Sequence, residues 1–426
     1  MIDIENNRKI INDRDASPDE RLEALKKIYR MHLSGISVMP KKTQFINNHI
    51  HTIYSFSPYT PTAAVYEAWK AGLSTAGIMD HDSIGGAREF LAAGEILDLP
   101  VTVGCELRVG VEGTRLEGKR LNNPDQLSCA YVALHGIPHQ CFDDLEGLLA
   151  QMRDIRNVRN KKMCGRINDL CSEYGIKLSF EDDVIPISQY KNGGSITERH
   201  LLFALVSKLE ANKSREEVIE LTEKLISSDL KEDVKLKLSE DTDKLFRYDL
   251  LGILKSHMME KVYVDADDEM LTVKDFLILS REIGAISAYA YLGDVTKSPT
   301  GDKKAQKFED DYLNLLFDVL DELGFDAVTY MPSRNTPEQL ERVMRLCREH
   351  RLFQICGEDI NQPRQSFICE ALEKPEFRHL RKAAFALIGH EFAATQDLSE
   401  SMFSRTNRRR PLDMRIDFYS AYGGLK

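Results

Sequence analysis

Two histidines, His49 and His51, flank Ile50 at the end of a short apolar run. Because side chains alternate along a β-strand, a strand at this position would point both imidazoles to the same face. Two nitrogen ligands on one face are typical of a site for a borderline divalent metal. The alternative for such a pair is two core histidines whose hydrogen bonds are satisfied by the protein.

Acidic and imidazole side chains also follow other apolar runs of the chain. They occur at 79–82 (Met-Asp-His-Asp), 104–106 (Gly-Cys-Glu), 134–136 (Leu-His-Gly) and 357–361 (Gly-Glu-Asp-Ile-Asn). The eight cysteines are scattered and form no Cys-x-x-Cys pair, so a metal would have to bind nitrogen and oxygen ligands. The sequence therefore predicts a centre for zinc, manganese or iron, with at least one ion per chain.

The elements that would position these side chains alternate between short apolar runs and amphipathic helices. Seven runs are predicted strands, at 45–51, 75–79, 101–106, 130–135, 285–291, 327–330 and 352–356. This alternation favours an α/β fold, a distorted parallel (βα)7 TIM-like barrel with an inserted helical domain. In such a barrel the ligand-bearing strand ends would meet at the C-terminal face, where barrels place their chemistry.

The pattern divides the chain into five parts. We expect an N-terminal helical extension at 1–42, a first barrel part at 43–141 and a helical insertion or lid at 142–260. A second barrel part at 261–390 and a C-terminal tail at 391–426 complete the chain.

Composition limits the partners of the protein. The 426 residues carry a formal net charge of −11, which disfavours a binder of nucleic-acid polymers. With 42% hydrophobic and 29% charged residues, the chain has the composition of a globular protein. Neither a membrane span nor a signal peptide is recognisable, so we expect a cytoplasmic protein.

Together these motifs resemble the PHP (polymerase and histidinol phosphatase) family of metal-dependent phosphoesterases. The resemblance covers roughly residues 43–365 and depends on the order and spacing of five motifs: His49-Ile50-His51-Thr52 with Ser55, Ile78 to Asp82 after Gly72-Leu73, Gly104-Cys105-Glu106, His135, and Gly357-Glu358-Asp359. The family fold is a (βα)7 barrel with one to three divalent metals at its C-terminal face. The resemblance implies hydrolysis of a phosphoester by metal-activated water.

The resemblance also implies a role for each matching residue. His49, His51, Glu106 and Asp359 correspond to the ligands of a first metal, while His81 and His135 correspond to ligands of a second and a third. Asn361 and Tyr291 stand where the family has histidines for the second and third metals. Because an amide or a phenol is a poorer ligand than imidazole, we expect about one tightly held ion per chain.

Substrate contacts are predicted in the insertion. Arg156, Arg159 and Arg199 are similar to phosphate-binding positions of the family's small-phosphoester branch, and guanidinium groups bind phosphate bidentately. For the stripe that contains Arg156 and Arg159, a solvated helix face is the alternative. Glu106 and His200 are the predicted catalytic residues, with His200 as a proton donor to the leaving oxygen.

The favoured function is hydrolysis of a small phosphorylated metabolite or nucleotide, so the expected partner is a small-molecule phosphoester. Two alternatives remain open on the sequence. The same site could hydrolyse an amide or a non-phosphate ester, or the chain could be a non-catalytic metal or nucleotide sensor whose site has lost ligands.

Overall fold

The computed structural model describes residues 4–294 and 307–425. Residues 1–3, 295–306 and 426, which fall in the predicted extension, second barrel part and tail, lie outside the described residues. The described strands are Ile46–Ile50 (β1), Thr75–His81 (β2), Val101–Gly110 (β3), Cys129–His135 (β4), Leu271–Thr272 (β5), Ile286–Ala290 (β6), Ala327–Tyr330 (β7) and Phe353–Cys356 (β8). The described α-helices are Ile4–Ile11 (α1), Pro18–Leu33 (α2), Pro61–Lys70 (α3), Ala87–Leu97 (α4), Phe142–Cys171 (α5), Glu198–Glu210 (α6), Arg215–Ile226 (α7), Glu232–Glu240 (α8), Asp243–Val262 (α9), Val273–Glu282 (α10), Leu313–Leu323 (α11), Pro337–Glu349 (α12), Arg378–Gln396 (α13) and Leu412–Tyr422 (α14).

Seven strands form a nearly closed barrel in the order β1-β2-β3-β4-β6-β7-β8, and the short β5 pairs with the end of β3. A parallel bridge between Ile50 and Ile360 joins the two ends of the sheet. All seven predicted strands are present, and the predicted TIM-like barrel is confirmed.

One strand departs from the expected parallel order. β4 is antiparallel to both of its neighbours, with Glu106 of β3 opposite Ala133 and Ala133 opposite Ala288 of β6. No α-helix lies between β3 and β4, and a parallel connection would need a crossover of that kind. The chain therefore returns directly along β3, and the C-terminal end of β4 points away from the barrel mouth.

The helical insertion has a core of its own, and α5 connects this core to the barrel. Phe142 and Leu145, at the start of α5, pack in the main barrel core, whereas Ile167 and Cys171, near its end, pack with α6 and α9. A single 30-residue helix thus spans both units.

The two ends of the chain pack against the barrel. In α2, Arg21 forms a buried ion pair with Glu89 of α4, with 2.7 Å between nitrogen and oxygen. At the other end, Glu391 of α13 accepts hydrogen bonds from the Thr102 hydroxyl and the Val103 amide at the start of β3. The predicted boundary at residue 390 falls inside α13, which covers the N-terminal end of the barrel.

Within 4–294 and 307–425, none of the helices has the length and apolar character needed to cross a lipid bilayer.

The α13 helix supplies a test of this arrangement through His390, which is fully buried. Its Nδ1 accepts a hydrogen bond from the Met402 amide, and its Nε2 donates to the Gly136 carbonyl at 3.2 Å. Burial lowers the pKa of His390 to about 4, from an ordinary value of 6.5. The unfolded chain therefore binds the proton first, and this contribution to stability is lost as the pH falls from 6.5 towards 4.

We expect the free energy of unfolding, measured by urea titration, to decrease between pH 7 and pH 4.5. In a His390→Gln variant this decrease should be smaller by about 2 kcal/mol, because the titrating imidazole is gone. An equal decrease of the free energy of unfolding in both proteins would contradict the assignment of this pH dependence to His390.

Candidate metal centre

The seam between β1 and β8 brings the first ligands together. The His51 amide donates to the Ile360 carbonyl at 3.0 Å, and the Ile360 amide donates to the His49 carbonyl at 3.1 Å. The Asn47 side-chain oxygen accepts from the amides of His49 and Glu358. These bonds place Asp359 beside the two histidines although more than 300 residues separate them in the chain.

Gly357 permits this close approach. A Cβ atom at this position would lie 2.6 Å from the His49 nitrogen and 2.7 Å from the His49 Cβ. Since real Cβ atoms do not come so near, any larger residue would push β8 away from β1.

Glu106 lies at the centre of the predicted ligands. Its Oε2 is 3.1 Å from Nδ1 of His81, 3.7 Å from Nε2 of His49 and 3.9 Å from Nε2 of His51. The two Nε2 atoms of His49 and His51 are 3.2 Å apart, and His51 Nε2 is 3.1 Å from Oδ1 of Asp359. The structure thus places His49, His51, His81, Glu106 and Asp359 in one cluster at the C-terminal face.

This cluster has the dimensions of a metal site. Four nitrogen and oxygen ligands at about 2.0–2.2 Å from a tetrahedral zinc would lie roughly 3.3–3.6 Å from one another. The ligand atoms of His49, His51 and Glu106 fall within 4.8 Å of each other, and their individual separations bracket that spacing. The residues present therefore fit a divalent ion without rearrangement of the backbone.

Ser55 and Asp80 orient the His51 ring. The Ser55 hydroxyl donates to Asp80 at 2.6 Å, so it can only accept at the 3.1 Å contact with His51 Nδ1. This pattern assigns the proton to Nδ1 and leaves the Nε2 lone pair facing Asp359. An imidazole lone pair directed at a carboxylate oxygen 3.1 Å away is the arrangement of two ligands of one ion, which supports the fit to a metal.

Thr52 completes the environment of Asp80, which is fully buried. The Thr52 amide and the Thr52 hydroxyl both donate to the Asp80 carboxylate, at 2.7 and 2.6 Å. Sequence reasoning did not assign a role to this pair, although Thr52 and Ser55 follow His51 at fixed positions in the quoted motif. Asp80 acts through Ser55 and is not itself a member of the ligand cluster.

The electrostatics of the site keep His81 neutral and Glu106 ionised, whereas at His49 burial is outweighed by the Glu106 carboxylate, which raises the pKa of His49. Burial lowers the pKa of His81 to about 4. Burial alone would raise the pKa of Glu106, but His81, His49 and His51 around it hold that pKa at about 2. Neutral imidazole and ionised carboxylate are the ligand forms required for metal binding at neutral pH.

His135 lies deeper in the barrel than expected. Because β4 is antiparallel, His135 pairs with Gly104, two residues before Glu106 along β3. The expectation that its strand ends at the barrel mouth is wrong. Burial, and then the neighbouring His49, lower the pKa of His135 to about 3, and its Nε2 has no hydrogen-bond partner among the described residues. Its role as a ligand stays a prediction.

Arg156 and Arg159 are engaged by carboxylates. Arg156 pairs with Asp82 and Glu198, and Arg159 pairs with Glu198 and Glu269, both at 2.8 Å. Both arginines are buried, which disagrees with a solvated helix face. Their part in substrate binding stays a prediction. The geometry favours a role in holding α5 against the loop after β2, against α6 and against the segment before β5.

Arg199 and His200 are neighbours in α6 but have different surroundings. Arg199 lines a cavity of about 170 Å³ together with His49, Glu106 and Asp359. His200 is buried, and its Nδ1 accepts a hydrogen bond from the Thr197 amide at the start of α6. Burial lowers the pKa of His200 to about 3. The geometry therefore favours Arg199 for substrate contact and a capping role for His200.

The two positions that differ from the resembled family are both near the cavity. The Tyr291 hydroxyl donates to Asp310 at 2.6 Å, and the Asn361 amide nitrogen donates to Asp359 at 2.6 Å. The Asn361 Oδ1 is buried and has no hydrogen-bond partner in the described parts of the chain. Tyr291 is therefore held away from ligation by its own contact, whereas the Asn361 oxygen remains available.

Phe56 links this site to the insertion. Its backbone φ is +89°, a region that bulky residues rarely adopt, and its ring packs on His200 and Tyr248 at centroid distances of 5.0 and 5.7 Å. The insertion core thus anchors the loop that carries Ser55.

Comparison with known proteins supports the fold. No family model matches this chain, and no curated protein matches it. Among solved structures, a candidate metal-dependent phosphoesterase from Bifidobacterium adolescentis aligns with a TM-score of 0.52 and 18% identity over 81% of this chain and 97% of its own. An amidohydrolase from Chromobacterium violaceum, solved with sulfate and no metal, aligns with a TM-score of 0.51 and 16% identity over 79% of this chain and 96% of its own. At this identity the likeness shows a shared fold, as the sequence motifs predict.

A Ser55→Ala variant tests the orientation of His51. Without the hydroxyl, His51 Nδ1 loses its acceptor, so the affinity for zinc should fall by about 10-fold or more. A competition titration against a chelating dye measures this, and Ser207→Ala, which removes an exposed hydroxyl far from the site, serves as the control. Unchanged affinity in Ser55→Ala would show that the ring is held by other contacts.

Proposed function

We propose that this protein is a metal-dependent hydrolase that acts on small phosphoesters. The observation that carries this proposal is that the ligand atoms of His49, His51 and Glu106 lie within 4.8 Å of one another, with Asp359 Oδ1 3.1 Å from His51 Nε2. Arg199 lines the same cavity, so a cationic side chain lies next to the ligand cluster. Metal and guanidinium together form the usual binding environment of a phosphoryl group.

Different residues of the chain would bind the ion and the substrate. When bound, a divalent ion supplies Lewis acidity and makes water a stronger acid. Glu106 and Asp359 would provide the anionic ligands, and His49 and His51 the neutral ones. Arg199 would bind non-bridging phosphate oxygens, where it compensates charge that develops during attack.

The number and identity of the ions follow from the ligand types. Nitrogen and oxygen donors suit zinc, manganese or iron, and His49, His51 and Glu106 with Asp359 beside them would serve one such ion. Asn361 Oδ1 and His135 Nε2 have no hydrogen-bond partner among the described residues and could ligate further ions. Each would do so in an incomplete ligand set. We therefore retain the proposal of one tightly held ion per chain, with weaker occupancy beyond it.

A second candidate function is hydrolysis of an amide, and the amidohydrolase among the solved structures favours it. A metal centre does not by itself select phosphorus. A screen that compares phosphomonoesters, phosphodiesters and N-acyl amino acids distinguishes the two activities. Turnover of amides alone would reject the phosphoesterase proposal.

A cytoplasmic location remains part of the proposal. All eight cysteines are buried and unpaired, which is usual for proteins of a reducing compartment. The expected partner is a small-molecule phosphoester and not a nucleic-acid polymer.

Glu106→Gln tests the metal-dependent reaction. The substitution keeps the size of the side chain but removes the charge shared by the ligand cluster, so kcat/KM on p-nitrophenyl phosphate should fall by at least about 100-fold. Metal content per chain, measured by elemental analysis, should fall with it. Glu95→Gln, an exposed change on α4, is the matched control. Full activity in Glu106→Gln would refute the proposed centre, and an inert wild type would favour a sensor.

Arg199→Gln tests substrate binding separately from metal binding. We expect KM for the phosphoester to rise by about 10-fold or more, because a charge-assisted contact to phosphate is lost. Metal content and the free energy of unfolding should stay the same, since the side chain is half-buried at the cavity wall. A loss of metal in this variant would instead place Arg199 in the support of the ligand cluster.

A further inference from the structure

A second cavity lies at the opposite end of the barrel. It has a volume of about 930 Å³ and is formed by the end of α12, the start of β8, α13 and residues 408–416. β8 runs from this cavity at Phe353 towards Asp359 of the metal centre, a rise of about 20 Å for six extended residues. The two sites are therefore distinct.

Seven of the seventeen residues that line this cavity are lysine or arginine, although the whole chain is acidic with a net charge of −11. One lining residue, Asp413, is acidic. Of the lining cations, Arg408 pairs with Asp326 and Lys382 pairs with Asp417. The other five form no ion pair within the described part of the chain; they are Arg348, Arg351, Arg409, Arg410 and Arg415.

Arg415 shows that this charge extends into the protein. It is 8% exposed, its guanidinium lies 4.6 Å from the centroid of the Phe403 ring, and Nη1 donates to the Met402 carbonyl. Its buried Nε–H has no acceptor in the residues described. Burial, and next the nearby Arg408, lower the pKa of Arg415, and the more weakly acting Asp326 charge, which pairs with Arg408, does not offset them.

We propose that this cavity binds a small ligand that carries several phosphate groups. Five arginines without carboxylate partners call for a multiply charged anion, and the planar guanidinium matches the geometry of phosphate oxygens. Leu412 and Ile416 supply an apolar wall. The volume falls within the range of small-molecule sites, about 300–1,000 Å³.

Size and charge favour a small ligand over a nucleic-acid polymer. A polymer needs a basic surface that extends along its backbone, whereas the cations that carry this proposal line a single cavity of an acidic protein. This proposal does not depend on the reaction at the metal centre.

Inorganic tripolyphosphate is the probe, with binding measured by isothermal titration calorimetry. We expect about one molecule to bind per wild-type chain and the affinity to fall by about 10-fold or more in Arg409→Gln/Arg410→Gln, because two phosphate contacts are lost. Both side chains are exposed, so the fold should be unaffected. Lys26→Gln/Arg30→Gln on α2 removes the same charge elsewhere and should bind as the wild type does.

Arg199→Gln should keep the binding event that Arg409→Gln/Arg410→Gln weakens, which locates that event away from the metal centre; a separate event lost in Arg199→Gln would belong to the metal centre. The proposal is overturned by no wild-type binding at about 1 mM probe, or by equal affinity in Arg409→Gln/Arg410→Gln. It is also overturned if a single-stranded RNA of about 20 nucleotides binds more tightly than tripolyphosphate through the same arginines.

Discussion

The hydrogen bonds that join residues 47–51 to residues 356–360 hold the candidate metal centre together. They close the barrel between β1 and β8, and in doing so set Asp359 beside His51. Each of these backbone and asparagine contacts is modest in free energy, about 0.5–1.5 kcal/mol. Their importance is geometric, because ligands from opposite ends of the sequence meet only if this seam forms in register. Gly357 is part of the same constraint, since no other residue would let the strands approach so closely.

Much of the fold was predictable because apolar runs and strand ends are local signals. The seven strands and the positions of His49 and His51 at the end of β1 follow from periodicity alone, whereas Glu106 lies inside β3, which continues to Gly110 and does not end at residue 106 as expected. The direction of β4 does not follow from periodicity, because an apolar run has the same pattern in a parallel and in an antiparallel strand. The connection carries the signal: residues 111–128 contain no helical pattern, and a strand that follows such a loop returns antiparallel. The wrong expectation that the strand of His135 ends at the barrel mouth has the same cause.

The arginines of α5 show a different limit of sequence reasoning. The spacing of Arg156 and Arg159 predicts a basic stripe, but the sequence does not say what the stripe faces. In the fold it faces Asp82, Glu198 and Glu269, which come from a barrel loop, α6 and the segment before β5. Such buried ion pairs add little net stability yet are costly to break. They therefore define where the insertion sits on the barrel, just as Phe56 anchors the Ser55 loop to the insertion.

The position of the insertion has a consequence for synthesis on the ribosome. β4 is a central strand of the finished barrel, but its second neighbour, β6, begins after a further 150 residues, at Ile286. At about 5–20 residues per second, β4 would wait roughly 10–30 s with its outer edge unpaired. An exposed apolar edge is a template for wrong pairing between chains.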